Sequence, residues 1–270
     1  MSRAESPGAR DDVEILAWLP QIQQDPDFPS PARQASYAGE LRQQGIRAAF
    51  WMHEPAADGT VAALHERLGL AVNPVVPNMR AYLRDASDYG VVGAVFRRFR
   101  RLRLADQVRI ALHHVRRAPQ VLARDFSTGV LAMVEMELPR FRRLAPACVV
   151  LNASVTDFAL ILDNHRLLRD FVRLVSGTHG LTAALGTYNY GVLAERLAAW
   201  GVRPGAIVAP FNPRGYLMNP SPEACERALK ASDVEVIASH IAVDGLIGRR
   251  EALDHLRGLG IHRGIVELGA

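Results

Sequence analysis

Two histidines and one glutamate stand where long apolar runs give out. His53 closes IRAAFWMH, His240 closes VEVIASH, and Glu267 lies near the end of IHRGIVELG. An imidazole changes charge close to neutral pH, so it can move protons or bind a metal ion. A carboxyl at the end of an apolar run sits in a setting that can turn it to acid–base work. His53, His240 and Glu267 are therefore the candidate catalytic set. The same three, with Asp157 as a further carboxylate, make the alternative reading of a divalent-metal site. Each histidine also has a structural reading as a partner of a loop carbonyl, and Glu267 as the partner of an arginine. Glu54 adjoins His53, and in an extended strand only one of the two faces a given side.

A second group could hold a substrate. The amides of Asn152, Asn189 and Asn78 fall at the ends of apolar runs, where they could orient an oxygen-rich molecule. Asn212 and Asn219 precede prolines and also read as turn formers. Arg80 and Arg214 could each hold an anionic group, Arg214 by a bidentate contact from the loop FNPRGYLMNPSPE or as a merely solvated loop arginine. The predicted substrate-binding set is Asn152, Asn189, Asn212, Arg214 and Arg80. Glycines in VDGLIG and ELGA fall where phosphate is often captured, without forming a phosphate motif.

Several chemistries are disfavoured. Lys230 is the only lysine, and it lies late in a predicted helix, so an imine-forming mechanism has no suitable amine. There is no GxGxxG ahead of a helix, no P-loop, no HExxH and no GxSxG, which removes support for a nucleotide cofactor or a serine hydrolase. Cys148 and Cys225 are isolated, argue against a thiolate metal site or a disulfide scaffold, and read as buried packing residues. No motif implies a cofactor; the divalent metal ion is the alternative.

Eight short apolar runs position these residues. They cover 13–20, 46–53, 71–78, 147–154, 181–188, 206–212, 234–240 and 261–269. Most are continuous rather than alternating, as expected of parallel strands covered on both faces. Helix signals fall between them. Ser30-Pro31 and Ser221-Pro222-Glu223 open helices, and Gly201, Gly258 and Gly260 end them. The succession resembles (β/α)8 TIM barrels at the level of fold. That implies an α/β chain folded as one domain over 1–270, with the chemistry at the C-terminal ends of its strands. Residues 79–146 exceed what one crossover helix needs. They are expected to form a helical insertion between the third and fourth strands, its 79–103 portion acting as a lid on the barrel mouth or as an oligomer contact. The sequence ends on the eighth strand, so a final covering helix is expected from a longer chain, another segment or another subunit.

With 49% apolar residues the chain can build a large core. It has no apolar run of membrane-spanning length and no apolar leader, so a cytoplasmic location is expected. The net charge is +4 and the pI about 9.4. FRRFRRLRL, at 96–104, could meet nucleic acid, an acidic membrane or a partner, but reads better as a solvated helix face. The expected partner is a small molecule, with no nucleic acid, no membrane and a possible homo-oligomer. The function expected is a lyase or isomerase acting on a small anionic, oxygen-rich metabolite by His/Glu acid–base chemistry. The metal-dependent hydrolase or lyase and a non-catalytic binding barrel are the alternatives.

Overall fold

The computed structural model describes residues 13–20, 25–115, 125–243 and 245–268. Its strands are β1 (Glu14–Trp18), β2 (Ala48–Trp51), β3 (Ala71–Val76), β4 (Cys148–Leu151), β5 (Thr182–Gly186), β6 (Ala206–Pro210), β7 (Glu235–Ser239) and β8 (Arg263–Glu267). Every strand lies inside the run predicted for it. All pair in parallel with their sequence neighbours, and β1 pairs with β8 to close the barrel. The chain is a (β/α)8 TIM barrel.

The helices are α1 (Pro31–Gln43), α2 (Asp58–Leu68), α3 (Met79–Arg100), α4 (Leu104–Val115), α5 (Phe126–Phe141), α6 (Ala153–Ile161), α7 (His165–Val172), α8 (Tyr190–Trp200), α9 (Pro222–Ala231) and α10 (Arg249–Leu259). Several begin and end as the sequence dictates. Ser30 and Ser221 cap α1 and α9 through their hydroxyls, each with proline in the first turn. Gly69, Gly201 and Gly260 end α2, α8 and α10 in the left-handed region, where a side chain would be strained.

Strand alternation sorts the side chains. Leu16, Phe50, Val75, Cys148, Val150, Ala184, Ala206, Ile237 and Ile265 fill the barrel interior. The alternate residues, such as Ala17, Trp51, Val149, Leu185 and Ala238, pack outward against the helices in the larger core. At the β3–β4 seam the paired residues are Val75 with Val150 and Val76 with Leu151. Pro74 has no N–H to donate. Asn73 closes the seam below it: its Oδ1 accepts from the N–H groups of Ala147 (3.0 Å) and Cys148 (2.9 Å).

Between β3 and β4 run α3, α4 and α5. Of these, α5 packs on β3 and takes the crossover position. α3 and α4 lie outside it through Tyr82, Leu102, Ile110 and Met136. α3 turns at Gly90, whose φ of 70° lies outside the helical region.

Candidate active site

A cavity of about 510 Å³ opens at the C-terminal ends of the strands. The strand period decides who lines it. Two residues on from Leu16 is Trp18, from Phe50 is Met52, from Val150 is Asn152, from Ile237 is Ser239, and from Ile265 is Glu267, and all five line the cavity. On β5 the same step runs Ala184, Gly186, Tyr188. Gly186 is required there, because a Cβ would stand 2.9 Å from the Leu151 carbonyl oxygen.

The polar wall comes from β5, β7 and β8. His240 follows β7 in the left-handed region (φ 51°), and Val243 shares that conformation (φ 46°). Such backbone is uncommon for non-glycine residues, and a β-branched residue held in it is an outlier that costs about 1–3 kcal/mol. The loop thereby turns His240 and its neighbours Ser239, Ile241, Ala242 and Val243 onto the cavity. The His240 ring lies 5.8 Å from the Tyr188 ring, edge to face, and 6.4 Å from that of Tyr216. Its Nδ1 is 3.2 Å from Ser239 Oγ. Burial, then the charge of Asp157, then Tyr216 and Glu267, hold the Tyr188 phenol above its ordinary pKa. Glu267 sits exposed at the cavity rim, not enclosed by the apolar run that precedes it.

Asp157, on α6, buttresses this wall from behind. It accepts from the Thr187 hydroxyl and from the Tyr188 N–H (3.1 Å). Burial raises its pKa against these bonds and one from the Asn189 side chain. Asn189 contributes nothing to the cavity lining, and its backbone N–H donates to Thr187 Oγ1 (2.8 Å). Asn152 does line the cavity. Its Oδ1 caps α6 at the Ser154 N–H (3.0 Å), and its Nδ2 lies 3.5 Å from Met52 Sδ.

Asn212 and Arg214 are placed otherwise than expected for substrate contacts. Asn212 is buried, donates to the Tyr216 carbonyl and accepts from the Tyr216 N–H, both at 2.9 Å. It holds the loop that sets Tyr216 beside His240. Arg214 is exposed and away from the cavity lining. Arg80 does stand on the rim, and Arg249, at the start of α10, joins it there.

His53 is the main correction. Phe50 and Met52 point inward, so His53 points outward with Trp51. It is buried against Trp51 and Phe141, with Nδ1 3.1 Å from Arg140 Nη1 and Nε2 2.9 Å from Asp58 Oδ1. The one-residue step between Met52 and His53 puts it on the helix side of the barrel wall. His53, His240 and Glu267 therefore do not share one pocket. Among the described residues no three His, Cys, Asp or Glu side chains are grouped to hold a metal ion. Asp244, in the VDGLIG stretch, lies outside the described residues.

Tyr188, Ser239, Trp18 and Met52 line the cavity but stand outside the predicted site set; the two-residue step from each strand's interior residues finds them. Glu137 on α5 also stands outside that set. This buried carboxylate accepts from the Asn78 N–H through both oxygens (3.1 and 3.3 Å). Burial pushes it up to about 7, opposed by the Asn78 bond, Arg98 and Arg140. Asn78 carries the connection to the site: it lines the cavity, caps α3 at the Ala81 N–H, and donates through Nδ2 to the His53 carbonyl (3.0 Å). Of α3, Met79 and Arg80 in the first turn line the cavity; the body beyond Arg80 adds nothing to the lining among the described residues.

Lys230 is exposed on α9, away from the cavity. Both cysteines are buried and free. No described helix is long and apolar enough to cross a membrane.

No family model and no curated protein matches the chain. Solved structures similar to it include the apo form of Gox0644, at 10% identity and a TM-score of 0.49 over 94% of this chain and 78% of that one. Another is the N-acetylmannosamine-6-phosphate 2-epimerase from Clostridium perfringens, at 12% identity and a TM-score of 0.49 over 99% of this chain and 92% of that one. A third is the dipeptide epimerase from Enterococcus faecalis V583, at 11% identity and a TM-score of 0.44, covering 94% of this chain and 55% of that one. The fold assignment rests on the ring of strand pairs.

Proposed function

We propose that the protein is a barrel enzyme of the lyase or isomerase type that moves a proton on a small anionic metabolite. The observation that carries this reading is His240, held in left-handed backbone on the cavity wall between two tyrosines. A strained residue in a cavity marks a place where position matters more than local stability.

In this reading His240 takes a proton from a carbon next to a carboxylate or carbonyl. The charge that develops on the oxygen is stabilised by the Asn152 amide or a rim arginine, Arg80 or Arg249. Tyr188 and Glu267 are the groups that can return a proton. Return to the other face of the carbon gives an epimer. Loss of a group from the neighbouring carbon gives an elimination product. Asn212 serves by positioning Tyr216, and Asn189 stands outside the cavity lining. His53 has no part in the chemistry.

The reaction need not be known to be seen. An enzyme that abstracts such a proton in D2O incorporates deuterium into substrate, which proton NMR reads directly. A panel of 2-hydroxy, 2-oxo and 2-aryl carboxylates is expected to contain at least one acid that exchanges with the protein and not without it. Exchange lowered by His240→Asn supports the reading. Failure of the whole panel to exchange, or unchanged exchange in that variant, overturns it.

A further inference from the structure

The apolar lining of the cavity gathers on its floor and on the β1 and β2 side; Gln44 also lines it, and so does Asn78 after β3, whose side-chain amide is already bonded to the Ala81 N–H and the His53 carbonyl. The floor is Phe50, Val75, Val150, Val208 and Ile265. Above the floor on β1 and β2 stand an indole and a thioether, Trp18 and Met52, in the places where a site for a polyhydroxylated molecule would need donors and acceptors. The polar groups Ser239, His240, Tyr188, Asn152 and Glu267 occupy the β4–β5 and β7–β8 side, and the two arginines stay at the rim. A sugar or sugar phosphate seated here would lose water from several hydroxyls against the floor without gaining partners, which is costly. An apolar group seated there gains by leaving water.

We infer that the ligand is an amphiphilic acid: an aromatic or branched-alkyl carboxylate whose apolar body lies on Trp18, Met52 and the floor, with its acid end at the rim near Arg80 or Arg249. This narrows the substrate class proposed above and rests on the reading of this cavity as the substrate site. It replaces the expectation of an oxygen-rich molecule. The tail is fixed on β1 and β2, and the carbon next to the acid group is presented toward His240 and Tyr188.

Binding of simple probes tests this without any turnover. The probes are 3-phenylpropionate, 3-phenylpropanol and gluconate, measured by calorimetry on the intact protein. The acid with the ring is expected to bind at least about tenfold tighter than gluconate, from burial of the ring alone. It should also exceed the neutral alcohol by about fivefold or more, through its charge. That second margin should shrink in Arg80→Gln or Arg249→Gln. Met52→Gln keeps the side-chain length, so the fold is expected to survive. It should weaken 3-phenylpropionate and leave gluconate unchanged. Trp18→Phe should remove the ligand-induced change in tryptophan emission while calorimetry still records binding, which places the ring at β1. Gluconate binding as tightly as 3-phenylpropionate, the alcohol binding as well as the acid, or no binding of 3-phenylpropionate at millimolar concentration overturns the inference. A failure of deuterium exchange with these preferences intact would overturn the acid–base reading alone.

Discussion

Trp18 and Glu267 are register partners across the β1–β8 seam that closes the barrel, and both line the cavity. An indole and a carboxyl thus stand side by side where the last strand meets the first. That seam is one boundary of the apolar lining formed by Trp18 and Met52, and Asn78 lies beyond Met52 on the other side. Glu267 is the last polar group before the apolar arc begins.

Position at this boundary makes Glu267 testable together with His240. His240→Asn and Glu267→Gln each keep shape and part of the hydrogen bonding. Each is expected to lower deuterium exchange by about two to four powers of ten, the scale of a positioned proton donor or acceptor. Thermal unfolding should move little in either. Full exchange in both variants would remove the assignment.

His53 should behave in the opposite way. It is buried among Trp51, Phe141, Arg140 and Asp58, on the far side of the barrel wall from the cavity. His53→Ala leaves a void and strips Arg140 of a partner, for a cost of about 2–4 kcal/mol in chemical denaturation. Probe affinity in the fraction that stays folded should not change. A large loss of binding or exchange with unaltered stability would return His53 to the site.

Asn212 is expected to act through Tyr216. Asn212→Ala breaks both bonds to the Tyr216 backbone and leaves that loop free to shift, at a local cost of about 1–3 kcal/mol. The rate of exchange should fall, and the pH profile of the remaining activity should shift with the altered surroundings of His240. If rate and profile both match the wild type, the loop does not position the histidine.

Glu137 gives the protein a pH dependence with a defined sign. Its pKa in the fold, about 7, lies above its ordinary value because it is buried. The folded state therefore keeps the proton longer than the unfolded chain does. Stability from this group is complete below the unfolded value of about 4.3 and is lost as pH rises toward 7. Glu137→Gln should flatten that decline, with a gain of up to ~3 kcal/mol at pH 8 relative to the wild-type trend. Urea titrations at pH 5 and pH 8 check it. An equal decline in the variant would refute it.

The sequence by itself determined the barrel. Continuous apolar runs such as ACVVLN and AIVAPF, short and repeated between helix signals, read as parallel strands covered on both faces, and the caps at Ser30, Ser221, Gly201 and Gly260 mark the helices between them. The strand ends were legible too, which is why His240, Glu267, Asn152 and Arg80 reached the cavity. Side-chain facing was not legible from strand ends alone. A single residue separates Met52 in the cavity from His53 behind the wall, and Tyr188 in the cavity from Asn189 outside its lining. The barrel interior had to be known before the period of two could be counted from Phe50 or Ala184. Arg249 and Glu137 depended on tertiary structure altogether, whereas the turn that Asn212 closes on Tyr216 is local, four residues apart, and agrees with its reading as a turn former. Glu137 meets Asn78 across 59 residues of chain, and Arg249 lines one cavity with Arg80. No local pattern encodes such placements, because their energy comes from the partner and not from the segment.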